Sequence, residues 1–133
     1  MTDEKFIEQF ENCSYPAELF NHSQHVKLAW LYLRIHPPLE ALARFTKSLK
    51  RYAASLGKTN LYHETITWAY MFLIHERMAN GEETKWEEFA SNNPDLLNWK
   101  DNILKNYYCE ETLHSERARR LFVFPDKCAK SNS

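Results

Sequence analysis

Glycine is scarce in this chain, with Gly57 and Gly81 the only two among 133 residues. Sandwiches, barrels and doubly wound sheets need many tight turns, which glycine forms at low cost, so the scarcity argues against those folds. A phosphate-cradling loop needs several glycines close together, and these two lie far apart. The sequence therefore favours a helical protein without a nucleotide-phosphate loop.

An excess of charge of one sign and a long apolar run are also missing. The formal net charge is −1, which argues against a dedicated nucleic-acid binder. No apolar run reaches the roughly 20 residues that a bilayer crossing requires. The segment Met1–Phe10 is acidic and polar, unlike a signal peptide. We therefore expect no nucleic-acid partner and no membrane partner.

The three cysteines, Cys13, Cys109 and Cys128, lie far apart and show no Cys-x-x-Cys spacing. An odd number of isolated cysteines is typical of free thiols in a reducing compartment rather than of a disulfide framework. We expect a cytoplasmic location.

Apolar residues recur with helical periodicity, and proline, glycine and capping residues separate the helical stretches. The pattern predicts four main helices, over 3–13, 21–36, 38–56 and 61–80. Asn21 is the predicted cap of the second helix, Thr59 or Asn60 that of the fourth, and Gly57 closes the third. The middle of the fourth helix, Ile66–Ile74, is apolar on every side, as in a central helix packed by its neighbours.

Shorter helices are predicted toward the C-terminus, with Thr84, Pro94 and Ser115 at their starts and the last one running to Phe122. We therefore predict an all-α fold, a single-domain bundle over residues 1–126 with four main helices and short extra ones. Residues 127–133 form the predicted polar tail.

Three of the six histidines fall where a common site is expected. His22 and His25 continue the apolar face at the start of the second helix, and His63 lies in the first turn of the fourth, followed by Glu64. Short connections make successive helices antiparallel, so the second and fourth helices begin at the same end of the bundle. We expect His22, His25 and His63 to converge there.

Neutral imidazoles are ligands for divalent metals, and the positive end of a helix dipole keeps imidazole neutral. The sequence therefore predicts one divalent metal ion, Zn or non-haem Fe, bound by His22, His25 and His63. Glu64 is the candidate fourth ligand, or the general base for a metal-bound water. In the structural alternative, helix caps and main-chain carbonyls satisfy the three histidines, and Glu64 only stabilises the helix dipole.

Tyr62 and Thr67 are the candidate contacts to a small-molecule substrate. Thr67 lies four residues after His63 and so faces the same way, although its hydroxyl has a carbonyl one turn back as an alternative partner. The chain has no Gly-x-Ser-x-Gly and no His-Glu-x-x-His motif, so ordinary hydrolase schemes have no support. If the protein is an enzyme, the metal activates water or oxygen against a substrate in an aromatic pocket.

Two other functions stay open. One is a non-catalytic interaction module with structural histidines; the basic segment 39–58 and the acidic segment 80–101 would then dock a partner or a second copy in a homodimer. The other is a pH-responsive protein whose histidines protonate below about pH 6. An opening beside the histidines distinguishes a binding site from an interaction module.

Three motifs resemble a family of small bacterial helical proteins to which no activity is attached. Residues 20–30 follow its pattern Phe-x-His-x-x-His-(Val/Leu)-x-x-Ala-Trp, and residues 62–67 follow Tyr-His-Glu-Thr-(Ile/Leu)-Thr. Residues 118–126 resemble its closing Ala-Arg-x-x-Phe-Val-x-Pro-Asp. Gln24 stands where the family pattern has an acidic residue. The resemblance draws attention to His22, His25, His63 and Glu64.

Overall fold

The computed structural model describes residues 1–127 of the chain, so most of the predicted tail, including Cys128, lies outside the described residues. The described residues form helices and no strand, which confirms the predicted all-α class. Seven α-helices occur in this range: α1 Asp3–Glu11, α2 His22–Ile35, α3 Pro38–Ser55, α4 Glu64–Asn80, α5 Trp86–Asn92, α6 Glu110–Leu113 and α7 Glu116–Arg120. Short 3₁₀ helices cover Ala17–Leu19, Thr59–Leu61, Pro94–Leu97 and Ile103–Asn106.

Three long helices, α2, α3 and α4, form the frame of the molecule, and each packs against the other two. Helix α1 covers α3, and α7 covers α4. The apolar faces of these helices meet in one core, in which Phe10, Leu28 and Ile74 have no exposed surface. None of the described helices is long and apolar enough to span a bilayer.

Local sequence signals determine several helix ends. The Asn21 side chain accepts a hydrogen bond from the Gln24 amide at 3.0 Å, and Ser115 caps α7 by accepting from the Ala118 amide at 3.1 Å. Pro38 is the first residue of α3, where its missing N–H costs nothing. Gly57 follows α3 with φ +69°, a left-handed conformation that favours glycine. The predictions at these positions are confirmed.

Helix α4 begins later than predicted. Thr59–Leu61 form a separate 3₁₀ turn, and neither Thr59 nor Asn60 caps α4. The cap is His63, whose Nδ1 accepts a hydrogen bond from the Ile66 amide at 3.1 Å. An imidazole nitrogen here accepts the main-chain hydrogen bond that a Ser, Thr or Asn oxygen usually accepts at a helix N-cap. Nor is α4 covered on all sides, because Phe72 is 45% exposed.

The shorter elements also differ from their predicted bounds. Helix α1 ends at Glu11 rather than residue 13, and the cap of α5 is Lys85 rather than Thr84. Pro94 opens a 3₁₀ helix. Cys13 and Cys109 carry free thiols in the described part of the chain.

Helix α7 ends at Arg120 instead of Phe122, because the chain leaves it as an irregular segment that crosses the start of α4. We call residues 121–127 the C-terminal strap. Thr65 donates a hydrogen bond to the Leu121 carbonyl at 2.8 Å and accepts one from the Val123 amide at 3.1 Å. The Phe122 ring stacks on Trp68 with centroids 5.3 Å apart. The strap is therefore fastened to α4 by both main-chain and aromatic contacts.

Candidate functional site

A cavity of about 470 Å³ opens between the first turns of α2 and α4 and the second half of α3. Its wall includes His22, His25 and His63 together with Tyr62 and Thr67. The structure thus brings every predicted site residue except Glu64 to one opening. The starts of α2 and α4 meet at this cavity, as the antiparallel packing of successive helices predicts.

The cavity has an apolar floor and an exposed rim. Its floor is built from buried side chains of the three long helices: Val26, Ala29, Phe45, Tyr52, Met71 and Ile74. Leu61 and Trp99, which are 68% and 48% exposed, stand at the rim with the exposed Lys58. The opening therefore leads from solvent into the hydrophobic core.

His22 is the first residue of α2 and is tied to a later part of the chain. Its Nε2 donates a hydrogen bond to the Leu96 carbonyl at 2.9 Å, and its ring lies 4.9 Å from the rings of Tyr70 and Trp99. Burial lowers the pKa of His22, although the bond to Leu96 acts in the opposite direction. The ring is therefore neutral near pH 7, with its proton on Nε2 and Nδ1 left as an acceptor.

His25 lies one turn further along α2, and its ring stacks on Phe20 with centroids 4.1 Å apart. Within residues 1–127, no group forms a hydrogen bond with either ring nitrogen of His25. Burial, with a smaller contribution from the charge of His22, lowers the pKa of His25 to about 4. The site thus contains a neutral imidazole whose donor and acceptor are both unused.

His63 differs from the other two, because both of its ring nitrogens are engaged. Nδ1 accepts from the Ile66 amide, and Nε2 donates to the Leu113 carbonyl at 2.7 Å. These partners fix the tautomer that carries its proton on Nε2. Burial lowers the pKa of His63, against the effect of the Leu113 bond. The ring lines the cavity but serves to join the start of α4 to the end of α6.

In the part of the chain that the structure describes, no group of three or more His, Cys, Asp or Glu side chains is placed to hold a metal ion. Both ring nitrogens of His63 are also already engaged in hydrogen bonds. To bind a metal, His63 must give up either the cap of α4 or its bond to Leu113. Metal binding by His22, His25 and His63 stays a prediction.

Glu64 does not line the cavity but is hydrogen-bonded to Tyr62, which does. Its Oε1 accepts a hydrogen bond from the Tyr62 hydroxyl at 2.6 Å and lies 3.9 Å from the Lys50 ammonium. Lys50 also lies 5.0 Å from the centre of the Tyr62 ring. Burial, and then the bond to Glu64, raise the pKa of the Tyr62 hydroxyl far above its ordinary value. Glu64 and Lys50 therefore hold Tyr62, still protonated, against the cavity.

Sequence reasoning missed three residues of this region. Tyr70 lines the cavity, and its helical spacing from His63 and Thr67 is a signal that identifies it. Its hydroxyl is buried without a hydrogen-bond partner in residues 1–127. Trp99 belongs to the helix predicted to start at Pro94, whereas in the structure it follows the 3₁₀ helix Pro94–Leu97 as irregular chain. Thr65 is fully buried, and its two strap partners lie more than fifty residues away in the chain.

In comparisons with known proteins, no family model, no curated protein and no solved structure matched this chain. The family resemblance of the sequence therefore depends on its three motifs alone. The residues of these motifs have physical roles in the structure. The first two motifs supply the histidines of the cavity, and His63 of the second is bonded to Leu113. The third motif includes most of the strap that Thr65 binds.

Proposed function

We propose that this protein binds a small organic molecule in the cavity between α2, α3 and α4. Protein interiors are close-packed, with few voids larger than a water molecule. A cavity of about 470 Å³ that reaches the core therefore needs an explanation. Its size and its apolar wall with a few polar groups are those of small-molecule sites.

The unused imidazole of His25 is the observation that carries this proposal. His25 is half-buried on the cavity wall, and neither of its ring nitrogens has a hydrogen-bond partner within residues 1–127. A polar group placed in this way beside an apolar floor is what fixes the orientation of a small molecule in its site. A ligand that bonds to this ring would supply its partner.

Filling the cavity tests the proposal. Ala53 is 7% exposed and lines the cavity, whereas its neighbour Ala54 is exposed. Ala53→Phe should fill the space, and Ala54→Phe is the matched control. A fragment collection is screened by thermal shift, and each hit is then titrated by NMR. We expect hits that bind the parent and the Ala54→Phe variant and lose at least tenfold affinity for Ala53→Phe. A parent that binds no fragment, or hits whose affinity neither substitution changes, would contradict the proposal.

A metal-dependent enzyme is the second candidate. What favours it is that His22 and His25 lie on one cavity wall as neutral imidazoles, the form that binds metals. Elemental analysis of protein purified without a histidine tag tests it, alongside His25→Ala and His63→Ala. Near-stoichiometric Zn, Fe, Ni or Cu that is lost in both variants supports a three-histidine site. A metal-free parent that shows no thermal shift with these ions contradicts it.

The interaction module with structural histidines is favoured by a different observation. His63 uses both ring nitrogens, and His22 one, on main-chain groups of the same chain. Sedimentation of the purified protein shows whether it forms the homodimer that the opposite charges of segments 39–58 and 80–101 favour. A monomer at all concentrations, together with ligand binding in the cavity, contradicts this alternative.

A further inference from the structure

The histidines and Thr67 lie at the end of the cavity where α2 and α4 begin, and the deepest part of its wall is apolar. His22 and Thr67 lie near the starts of α2 and α4, whereas Ala29 and Ile74 lie seven residues further along the same helices. At 1.5 Å per residue, seven residues span about 10 Å. A bound molecule therefore extends about 10 Å from the polar groups at the helix starts to the apolar floor and passes His25 and Tyr70 on the way.

The polar end of the cavity carries no charge that suits an ionised ligand. Among residues 1–127, no aspartate or glutamate lines the cavity, and its one cationic side chain, Lys58, is exposed at the rim. The three histidines are neutral. A charged group brought against them would lose hydration without gaining a counter-ion, which is costly.

Hydrogen bonding is what the polar end does offer. A neutral imidazole presents one N–H donor and one bare nitrogen acceptor, and both are unused at His25. The Nδ1 of His22 is a further acceptor on the same wall, because the proton of that ring is directed to Leu96. A hydroxyl or an amide on the ligand matches these groups.

We infer that the ligand is an elongated, uncharged molecule with a single hydroxyl or amide end that bonds to His25 and an apolar body that extends about 6 Å beyond it, the rise of the four residues from His25 to Ala29. This inference rests on the proposed binding function. The apolar body lies between α2, α3 and α4 on the floor formed by Ala29, Met71 and Ile74. The hydroxyl or amide end lies at the level of His22, His25 and Thr67.

A series of naphthalenes that share one body and differ in the end group tests this inference. Naphthalene, 2-naphthol, 2-naphthoate and 2-naphthylmethylammonium are titrated at pH 7.5 and followed by NMR. We expect 2-naphthol to bind at least tenfold more tightly than either ion, because only its end group is uncharged and able to form hydrogen bonds. Naphthoate binding equal to that of naphthol, and lost in Lys58→Ala, would assign the end group to the rim and overturn the inference.

Two variants locate the end group. His25→Phe keeps a ring against Phe20 but removes both nitrogens, so 2-naphthol should lose about tenfold in affinity and naphthalene should not. Lys58→Ala should change neither. Equal losses for both compounds in a folded His25→Phe would overturn the inference. If His25→Phe does not fold, the chemical shifts of the His25 ring nitrogens in the parent decide instead. Naphthol should change them as a hydrogen bond does, and naphthalene should not.

The outcomes distinguish a failure of the ligand inference from a failure of the proposed function. If no naphthalene binds the parent, or if Ala53→Phe does not weaken binding, the inference about the ligand fails. The proposed function fails with it only if the fragment collection also gives no hit that Ala53→Phe weakens. If naphthalene binds the cavity but the ions bind as well as naphthol, the proposed function stands and the inference about the ligand is wrong.

Discussion

The imidazole of His63 is hydrogen-bonded to the main-chain carbonyl of Leu113, fifty residues further along the chain, with Nε2 and oxygen 2.7 Å apart. Two residues after His63, the hydroxyl of Thr65 holds the main chain of the C-terminal strap at Leu121 and Val123. The start of α4 is therefore one of the places where the C-terminal third of the molecule is joined to the three long helices. The histidine of this motif acts as a structural joint as well as a part of the cavity wall.

The substitution His63→Ala should destabilise the protein by about 1–3 kcal/mol, because it removes the cap of α4 and leaves the Leu113 carbonyl without its partner. Urea unfolding followed by circular dichroism measures the change. His63→Asn is the informative control, since asparagine restores the cap but does not reach Leu113, and it should recover part of the loss. A change below about 0.5 kcal/mol in His63→Ala would show that neither bond matters.

The substitution Thr65→Val should loosen the strap. Valine has nearly the same shape but neither donates to Leu121 nor accepts from Val123, and the position is fully buried. We expect a loss of about 2–3 kcal/mol in the free energy of unfolding and faster amide exchange at residues 121–127. Thr46→Val is the control, because that hydroxyl bonds only within its own helix, to Ala43. Unchanged exchange in the strap would contradict the role of Thr65.

Stability should fall as the pH is lowered from about 6.5 to 4. The pKa of His25 is lowered from 6.5 to about 4. Between these pH values His25 binds a proton in the unfolded chain but stays neutral in the folded protein, which favours unfolding. His22 and His63 also have lowered pKa values and act in the same direction. The stabilising effect is complete above pH 6.5 and is lost on acidification. We expect a decrease of about 2 kcal/mol from His25, measured as the free energy of unfolding against pH.

Two glutamine variants test the source of this pH dependence. His25→Gln removes the titrating group and should make the profile shallower between pH 6.5 and 4. His75→Gln removes an exposed histidine of α4 and should leave the profile as it is in the parent. A His25→Gln profile that superimposes on that of the parent would assign the acid sensitivity to other groups.

Metal binding by the three histidines, if it occurs, should disturb the joint at His63. The ring must release Leu113 or the Ile66 amide before a nitrogen can reach a metal. We therefore expect Zn²⁺ to raise the melting temperature of the parent by no more than about 1 °C. This increase is smaller than the one that about 1 kcal/mol of binding free energy would produce. A large increase that disappears in both His25→Ala and His63→Ala would show that the ring does switch partners.

The sequence predicts the parts of this fold that local chemistry determines. Asn21, Pro38, Gly57 and Ser115 mark helix ends through their own side chains or backbone, and each does so in the structure. The meeting of His22, His25 and His63 at one opening follows from helix order, because short connections alternate the direction of successive helices.

The start of α4 could not be predicted in the same way. Thr59 and Asn60 are better capping residues than histidine by their intrinsic preference. His63 takes the position because its other nitrogen is fixed by Leu113, a contact between distant parts of the chain. The cause of the strap is similar: the partners of Thr65 are main-chain groups, which leave no pattern in the sequence. The unused ring of His25 is visible only when its neighbours in space are known.

The strap also has a consequence for the order in which the molecule can fold. Thr65 and His63 need Leu113, Leu121 and Val123 as partners, and these residues leave the ribosome long after α4 does. Until then, a growing chain holds α4 with an unfinished first turn and an uncovered Trp68. The three long helices can collapse together earlier, but the end of the bundle that contains the cavity is completed only when the last helices emerge.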